Sequence, residues 1–525
     1  MRLRRPKTTR GARLSILRIA LAMLAVGGVA MVAAHVTSTT LANRGRLRSQ
    51  WFAPYVDVTL PPYLDFQDPA VNPNGDVVLS FVVADPEQAC VPSWGAAYTM
   101  REASTSLDLD RRLVKLRARG GDAIVSFGGV ANDELATTCT SELGLYNAYR
   151  SVVDRYDLQT IDLDLEGDAL TDRAARTRRA QALADLQAER RGDGGRLAVW
   201  ITLPMGLDGL TLDGVETVRS MLEAGVDLAG INVMAMDYGA GRPASTTFVD
   251  ASIEGLGAAS RQVRAAYRAD GVVLTPAEAY GHLGVTPMIG QNDELDDRLT
   301  TDGARQLFDA AVDRGVARFS MWSLNRDVAC GGNVDPTIAD NACSGVEQDR
   351  LEFSSIFGAV GGRATAGAVV PVVAARPTGR TDQRTDDSLG PYDSWRLRRE
   401  YEATAKVVWR GQVYVAKWWN VGTQPDARVA HEWDSPWRGL GPVLPGERKA
   451  VEPPALPKGT YHEWSRKTGY NTGDVVQHLG KGYRAKWATQ GADPAADVDN
   501  DWESPWEPVA RAGAGTDHGA TAPAP

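Results

Sequence analysis

The segment 160–166 reads Thr-Ile-Asp-Leu-Asp-Leu-Glu. Side chains alternate in an extended chain, so Asp162, Asp164 and Glu166 share one face and Ile161, Leu163 and Leu165 the other. Successive carboxylates on such a face lie about 6–7 Å apart. If the aliphatic face packs, the acidic face projects into an enclosed space, where three carboxylates are costly. An edge strand with a solvated acidic face is one answer, but Ile-Leu-Leu needs burial on its other side. A hard cation held by the carboxylates is a second. The third is proton chemistry. Mutual repulsion and desolvation raise the pKa of one member until it can act as a general acid near neutrality. Such a group titrates as a coupled set. This third reading makes Glu166, Asp164 and Asp162 the catalytic candidates.

Something must hold that strand. Between 48 and 358, short β-rich runs alternate with polar-periodic ones. Strands are expected at 52–58, 77–83, 123–127, 160–166, 197–203, 230–236, 287–290 and 318–322. Helices are expected at 107–119, 142–156, 172–191, 214–224, 252–268, 301–314 and 348–357. Eight strands separated by helices fit an α/β fold of the (β/α)8 TIM-barrel type, with chemistry at the C-terminal strand ends. Periodicity alone also admits a doubly wound open sheet.

The chain has 525 residues and a net charge of −9. Residues 1–50 hold ten Lys/Arg and no acid, leaving 47 basic against 66 acidic residues in the body. Such an acidic body argues against nucleic acid as a partner. Only His282 of the six histidines lies between 36 and 430, which counts against His-metal clusters and a Ser-His-Asp hydrolase there. Arginines in 2–18 precede an apolar run from Ile19 to Ala34, so residues 1–42 read as an export signal or an uncleaved anchor. Either form puts the body outside the cytoplasm, and membrane contact is expected only if the segment is retained. Four cysteines suit that compartment. Four cysteines allow three pairings; we expect Cys90 with Cys139, at the ends of neighbouring strands, and Cys330 with Cys343, which are close in sequence.

Ten of the 14 tryptophans lie between Trp395 and Trp506. They belong to a repeat. Trp395, Tyr401, Tyr414, Ala416, Lys417, Trp418, Gly422, Pro425, Trp433, Ser435, Pro436 and Trp437 all recur 69 residues later, as Trp464 through Trp506. The copies are expected at 391–438 and 460–508, with linkers at 359–390 and 439–459 and a disordered tail at 509–525. Units this small without cysteine gain buried area from large aromatics, so Trp433, Trp437, Trp502 and Trp506 are read as core. In the strand Tyr-Val-Ala-Lys-Trp-Trp, alternation puts Tyr414, Ala416 and Trp418 on one face and Lys417 and Trp419 on the other. Both faces of so thin a unit are not core, and an exposed indole is a platform for a sugar ring. Ala488 stands in the second copy where the first has Trp419, so the second copy is expected to bind more weakly. The pattern resembles carbohydrate-binding modules of families 5 and 12, marked by an Ala-Lys-Trp-Trp strand followed by Gly and Pro. That resemblance implies a chitin-binding role for Trp418, Trp419, Trp487, Tyr414 and Tyr483.

The barrel carries a second resemblance. Asp-x-Asp-x-Glu on the fourth strand is similar to the signature of family 18 glycoside hydrolases, the chitinases. Ser126-Phe127-Gly128-Gly129 resembles that family's Ser-x-Gly-Gly element, and Asn232-Val233-Met234-Ala235-Met236-Asp237-Tyr238 its strand-six Met-x-Tyr-Asp motif. Trp322 stands where the family keeps the Trp beneath the scissile sugar. Gln159, Thr160 and Met236 depart from the family pattern, in the manner of a bacterial branch.

The resemblance implies a substrate-assisted retaining mechanism, in which the substrate's own N-acetyl oxygen is the nucleophile, with no metal and no organic cofactor. Glu166 is then the proton donor. Asp164 orients the acetamide, Asp162 tunes Asp164, Asp237 and Tyr238 position the N-acetyl group, and Trp322 forms the floor. Met234, Gly128, Gly129 and Trp94 are further candidates to line the cleft, although methionines and tryptophans are common core residues and the glycines equally serve close packing. The expected protein is a secreted, monomeric chitinase acting on chitin or another N-acetylglucosamine polysaccharide. The short interval between the last two strands points to an open cleft and endo action. An endo-N-acetylglucosaminidase on glycoprotein or cell-wall glycans, and a non-catalytic chitin lectin, are the alternatives. The presence of Glu166 and Asp164 weighs against the lectin.

Overall fold

A computed structural model describes residues 50–360 except 333 and 336, 390–447 except 432 and 433, 456–496, and 504–509. The chain divides into two compact units near residue 380. The segment 1–42, most of both linkers, the tail, Trp433 and Trp502 lie outside the described residues. Among the described residues no helix is long and apolar enough to cross a membrane.

The first unit is a closed barrel. Its strands, in chain order, are Trp51–Phe52 continued by Tyr55–Asp57, then Val77–Ala84, Ala123–Gly128, Thr160–Asp164, Ala198–Gly206, Leu228–Ala235, Leu283–Pro287 and Arg318–Phe319. Each pairs in parallel with the next. The ring closes because Trp51 pairs with Arg318 while Tyr55 pairs with Val78. That closure excludes the open sheet. The intervening helices begin on the residues that chemistry favours there. Ser141, Asp172, Thr211, Thr247 and Thr300 each accept a first-turn N–H.

The seventh strand corrects the sequence reading, which placed it at 287–290; it runs Leu283–Pro287. Gly284 disguised it. A Cβ at Gly284 would lie 3.0 Å from the Cβ of Arg318, so the glycine makes room for that side chain. Pro287 ends the strand. The helices Met100–Thr105, Leu135–Thr138, Gly167–Thr171 and Pro276–Gly281, and the hairpin Pro92–Trp94 with Tyr98–Thr99, were not expected. They are too short to show a period.

Alternation sorts the barrel side chains. Val125, Phe127, Ile161, Leu163, Ile201, Val233 and Val285 pack outward against the helices in one continuous core. The inward positions are filled differently at the two ends. Trp51 and Trp200 meet edge to face at 5.5 Å within an apolar cluster that includes Val78 and Ile124. Gly230 is required there, because a Cβ would lie 2.3 Å from the Trp200 ring. Toward the strand C-termini the interior turns polar, with buried Ser126, Asp162, Thr202, Asn232, Thr286 and Arg318.

Two disulfides form as expected, Cys90–Cys139 with Cα atoms 4.7 Å apart and Cys330–Cys343 at 5.0 Å. The first joins the turn before the Pro92–Trp94 hairpin to the end of the Leu135–Thr138 helix.

Among the described residues the C-terminal unit holds two strand pairs, Glu400–Tyr401 with Asn420–Val421 and Gly469–Tyr470 with Thr489–Gln490, and two larger sheets of mostly antiparallel strands, the second with His462–Glu463 added in parallel to Val475–His478. In the first larger sheet, Gln412–Ala416 lies between Lys406–Trp409 and Trp437–Pro442; in the second, Lys481–Ala485 lies between Val475–His478 and Trp506–Pro508. The strand Trp437–Pro442 runs past residue 438, so the first copy extends into what was read as linker. Trp437 and Trp506 are buried, in edge-to-face contact with Tyr401 and Tyr470 at 5.1 Å each.

Candidate active site

The three carboxylates of the fourth strand sit in three different environments. Asp162 is the deepest and is fully partnered. Its Oδ2 accepts from the Tyr55 hydroxyl at 2.8 Å and from Ser126 Oγ at 2.7 Å. Its Oδ1 accepts from Thr202 Oγ1 at 2.8 Å and from the Arg318 guanidinium at 2.5 Å. Arg318 also donates to Tyr55 and Ser320, and lies 5.3–5.6 Å from the ring centres of Trp51, Tyr55 and Trp200. A buried cation thus offsets the innermost carboxylate, which the column of acids alone did not reveal.

Asp164 is 5% exposed, and its Oδ1 is buried without a hydrogen-bond partner. Burial, then the charges of Glu166 and Asp162, push its pKa well above the usual carboxylate range, with Arg318 opposing. Glu166 is half-buried, just beyond the strand and at the N-terminus of the Gly167–Thr171 helix. Burial, and secondarily the charge of Asp237, raise its pKa to about 7. The three acids do not converge on one point, and among the described residues no group of metal-ligating side chains has a metal-holding arrangement.

Two open clefts meet at Glu166. One, of about 480 Å³, is lined by Asp85, Gly129, Asn132, Glu134 and Asp168 among others. The other, of about 290 Å³, is lined by Met205, Met234, Met236, Asp237 and Tyr238 among others. Asp237 is exposed at the rim, yet its carboxylate accepts the N–H groups of Asp293 and Glu294, and partial burial raises its pKa. Tyr238 lines the cleft with its ring, but its hydroxyl donates to Ser252 at 3.0 Å, on the Phe248–Ala269 helix.

Trp322 is half-buried and stacks on Phe81 with ring centres 5.5 Å apart and 18° between planes. Phe81 was not singled out in the sequence; its place near the end of the second strand is the only signal that could have found it. The glycines have a packing role. Gly128 has φ +100, and a Cβ there would lie 2.1 Å from the Asp164 carbonyl oxygen; Gly129 has φ +84, and a Cβ would lie 2.8 Å from the Phe81 ring. Trp94 does not line the cleft. It is fully buried, with its Nε1 donating to the Tyr156 hydroxyl at 2.9 Å.

In the C-terminal unit, Trp418, Trp419 and Trp487 are 45%, 50% and 43% exposed. Strict alternation does not hold, because the strand ends at Ala416 and both following indoles reach solvent. Lys417 lies over the Trp418 ring at 4.8 Å and Lys486 over Trp487 at 5.0 Å. Tyr414 is half-buried, and Tyr483 is buried in its core cluster.

Comparison with known proteins bears on both units. Residues 463–507 match the model of carbohydrate-binding module family 5/12. The chain is 33% identical over 309 residues to a probable bifunctional chitinase/lysozyme of Escherichia coli (strain K12), covering 58% of this chain and 34% of that protein. It is 33% identical over 281 residues to endochitinase 11 of Metarhizium anisopliae, covering 53% of this chain and 52% of that protein. The chain therefore spans between about a third and about half the length of these curated relatives. Its barrel has a fold similar to that of the catalytic domain of a hyperthermophilic chitinase from Pyrococcus furiosus, with TM-score 0.51, 24% identity, and coverage of 59% of this chain and 95% of that one. The chain thus pairs a TIM barrel similar to chitinases, with motifs that resemble those of family 18, and a C-terminal segment that matches carbohydrate-binding module family 5/12.

Proposed function

We propose that the protein is a secreted chitinase that cleaves β-1,4 bonds in N-acetylglucosamine polymers by a substrate-assisted retaining mechanism. The observation that carries this reading is the gradient along one strand, from an ion-paired Asp162, through Asp164 with an unpartnered buried oxygen, to Glu166 with a pKa near 7 in an open cleft. In the reaction, Glu166 delivers its proton to the glycosidic oxygen as the bond to the anomeric carbon breaks. The acetamide oxygen of the same sugar bonds to that carbon, and the acetamide N–H donates to Asp164. Water then attacks the anomeric carbon and gives a proton to Glu166 as the bond from that carbon to the acetamide oxygen breaks, which restores the N-acetyl group and releases product with retained configuration. Asp162 tunes Asp164 through its charge, Asp237 and the Met234 and Tyr238 surfaces flank the acetamide, and Trp322 with Phe81 supports the sugar ring. Gly128 lets the third strand approach Asp164, and Gly129 leaves room for the Phe81 ring.

Residues 48–358 form the catalytic domain and 1–42 its export signal or anchor. Both copies of the repeat act as chitin-binding modules, through Trp418 and Trp419 in the first and Trp487 in the second, with Tyr414 and Tyr483 supporting. The enzyme is a monomer and acts within chains, since both clefts are open and only 288–317 separates the last two strands. The test is Glu166→Gln on colloidal chitin, with a high-mannose glycoprotein as the second substrate. Hydrolysis of chitin by the wild type and its loss in the variant, with insoluble-chitin binding retained, is expected. Near-full activity of the variant, or wild-type activity confined to the glycoprotein, overturns the reading.

A further inference from the structure

Asp237 is held by a clasp between two loops. The chain turns at Asp237, with φ +52, and again at Gly239, with φ +48. The segment 288–298, whose Gly290–Gln291 strand pairs with Arg298–Leu299, lies against this turn, and the two segments exchange side-chain-to-backbone hydrogen bonds in both directions. Asp237 Oδ1 accepts from the Asp293 N–H at 2.9 Å and the Glu294 N–H at 3.3 Å. In return, Asp297 Oδ2 accepts from the Gly239 N–H at 2.9 Å, and Asn292 Oδ1 accepts from the Asp237 N–H at 3.3 Å. Asp297 is fully buried and also pairs with Arg242 at 2.7 Å. A Cβ at Gly239 would lie 2.7 Å from the Glu294 carboxyl carbon, so the loops are in contact there. On the far side, buried Arg326 donates to the carbonyls of Ile289 and Gln291.

A charge acts on its neighbour in inverse proportion to distance, so the acidity of Glu166 depends on where Asp237 is kept. We propose that Asp297 is a positioning residue for the proton donor. By gripping the turn from Gly239 to Arg242, it fixes the Asp237 carboxylate beside Glu166 in their shared cleft. This rests on Glu166 being the acid. Glu166 is faced by Asp164 and Asp237, and Asp237 by Asp293, Asp297 and Arg326.

The experiment is the pH profile of kcat/KM for the full chain on a soluble chito-oligosaccharide, for wild type, Asp297→Asn, Asp237→Asn and the double variant. Asp297→Asn is expected to move the alkaline limb toward lower pH by about 0.5 unit, as Glu166 loses a neighbouring charge that favours its protonated form. In the Asp237→Asn background the same change is expected to move nothing further. A lower kcat with an unmoved limb, or a second full shift in the double variant, overturns the proposal. If Asp297→Asn does not fold, Arg242→Gln breaks the same pair and is read in the same way. Wild-type inactivity on the oligosaccharide would instead refute the proposed function.

Discussion

Arg318→Met tests whether the acidic strand depends on its buried cation. The Arg318 side chain is fully inaccessible and so is that of its partner, Asp162. Methionine is similar in length and apolar, so the cavity left is small and the dominant effect is a buried carboxylate without its counter-charge. Removing one member of a buried ion pair costs about 3–5 kcal/mol. At about 2 °C per kcal/mol for a domain of this size, the melting temperature should fall by about 6–10 °C. The loss should also depend on pH. Without Arg318 the charge that opposes protonation of buried Asp164 is gone, so the folded variant binds more protons than its unfolded chain. Its stability therefore falls as pH rises. Calorimetry at pH 4.5 and 7.5 should find a smaller deficit at the lower pH. Adding Asp162→Asn removes the orphaned charge and should restore part of the loss. A fall of less than about 2 °C at pH 7.5, or an equal deficit at both pH values, would refute the assignment of Arg318 as an essential counter-charge.

Three further outcomes are expected. Because Glu166 must be protonated to act and burial raises its pKa to about 7, kcat/KM on soluble oligomers should fall tenfold per unit above that pH; an alkaline limb starting near pH 4–5, the ordinary carboxylate range, contradicts this. Trp418→Ala with Trp419→Ala should lower retention on insoluble chitin by about tenfold, from the lost aromatic contact, with the melting profile little changed; unchanged retention removes these indoles as platforms. An open cleft should yield a mixture of product lengths from long oligomers, and release of disaccharide alone from chain ends would refute endo action.

The barrel was legible because its outward strand positions are aliphatic and its helices start on strong caps. What the sequence hid lay where one strand's side chain occupies another strand's space. Gly284 read as a loop residue because nothing local explains it; its neighbour in the barrel, Arg318, does. Arg318 itself looked like an ordinary charge at the start of a short strand. Its role appears only when the last strand closes against the first and brings it under Asp162. The candidate site was legible in the same proportion. Glu166, Asp164 and Asp162 announce themselves by spacing, whereas Tyr55, Thr202 and Phe81 carry no local mark. Trp94 misled because an indole beside a strand end serves a cleft or a core equally well, and the Tyr156 hydroxyl decides for the core.

The duplicated units show what a repeat can and cannot fix. The contacts that recur at the 69-residue offset are interior ones: Tyr401 on Trp437 and Tyr470 on Trp506, with each indole N–H donating to a loop carbonyl, of Thr423 at 2.8 Å and Ala492 at 3.0 Å. Small cores tolerate little change in shape, so these positions are held in both copies. Some positions that differ are buried, Val408 against Gln477 and Val413 against Gly482, and others lie nearer solvent. Trp409, whose N–H donates to Asp426, is replaced by His478, which packs on Trp464 and pairs with Asp493 at 2.9 Å. Trp419 is replaced by Ala488. Divergence at half-buried and exposed positions leaves the fold intact while changing the apolar surface each copy offers. Equal folds therefore do not imply equal surfaces, and the copy with two adjacent exposed indoles, Trp418 and Trp419, presents the broader exposed aromatic face.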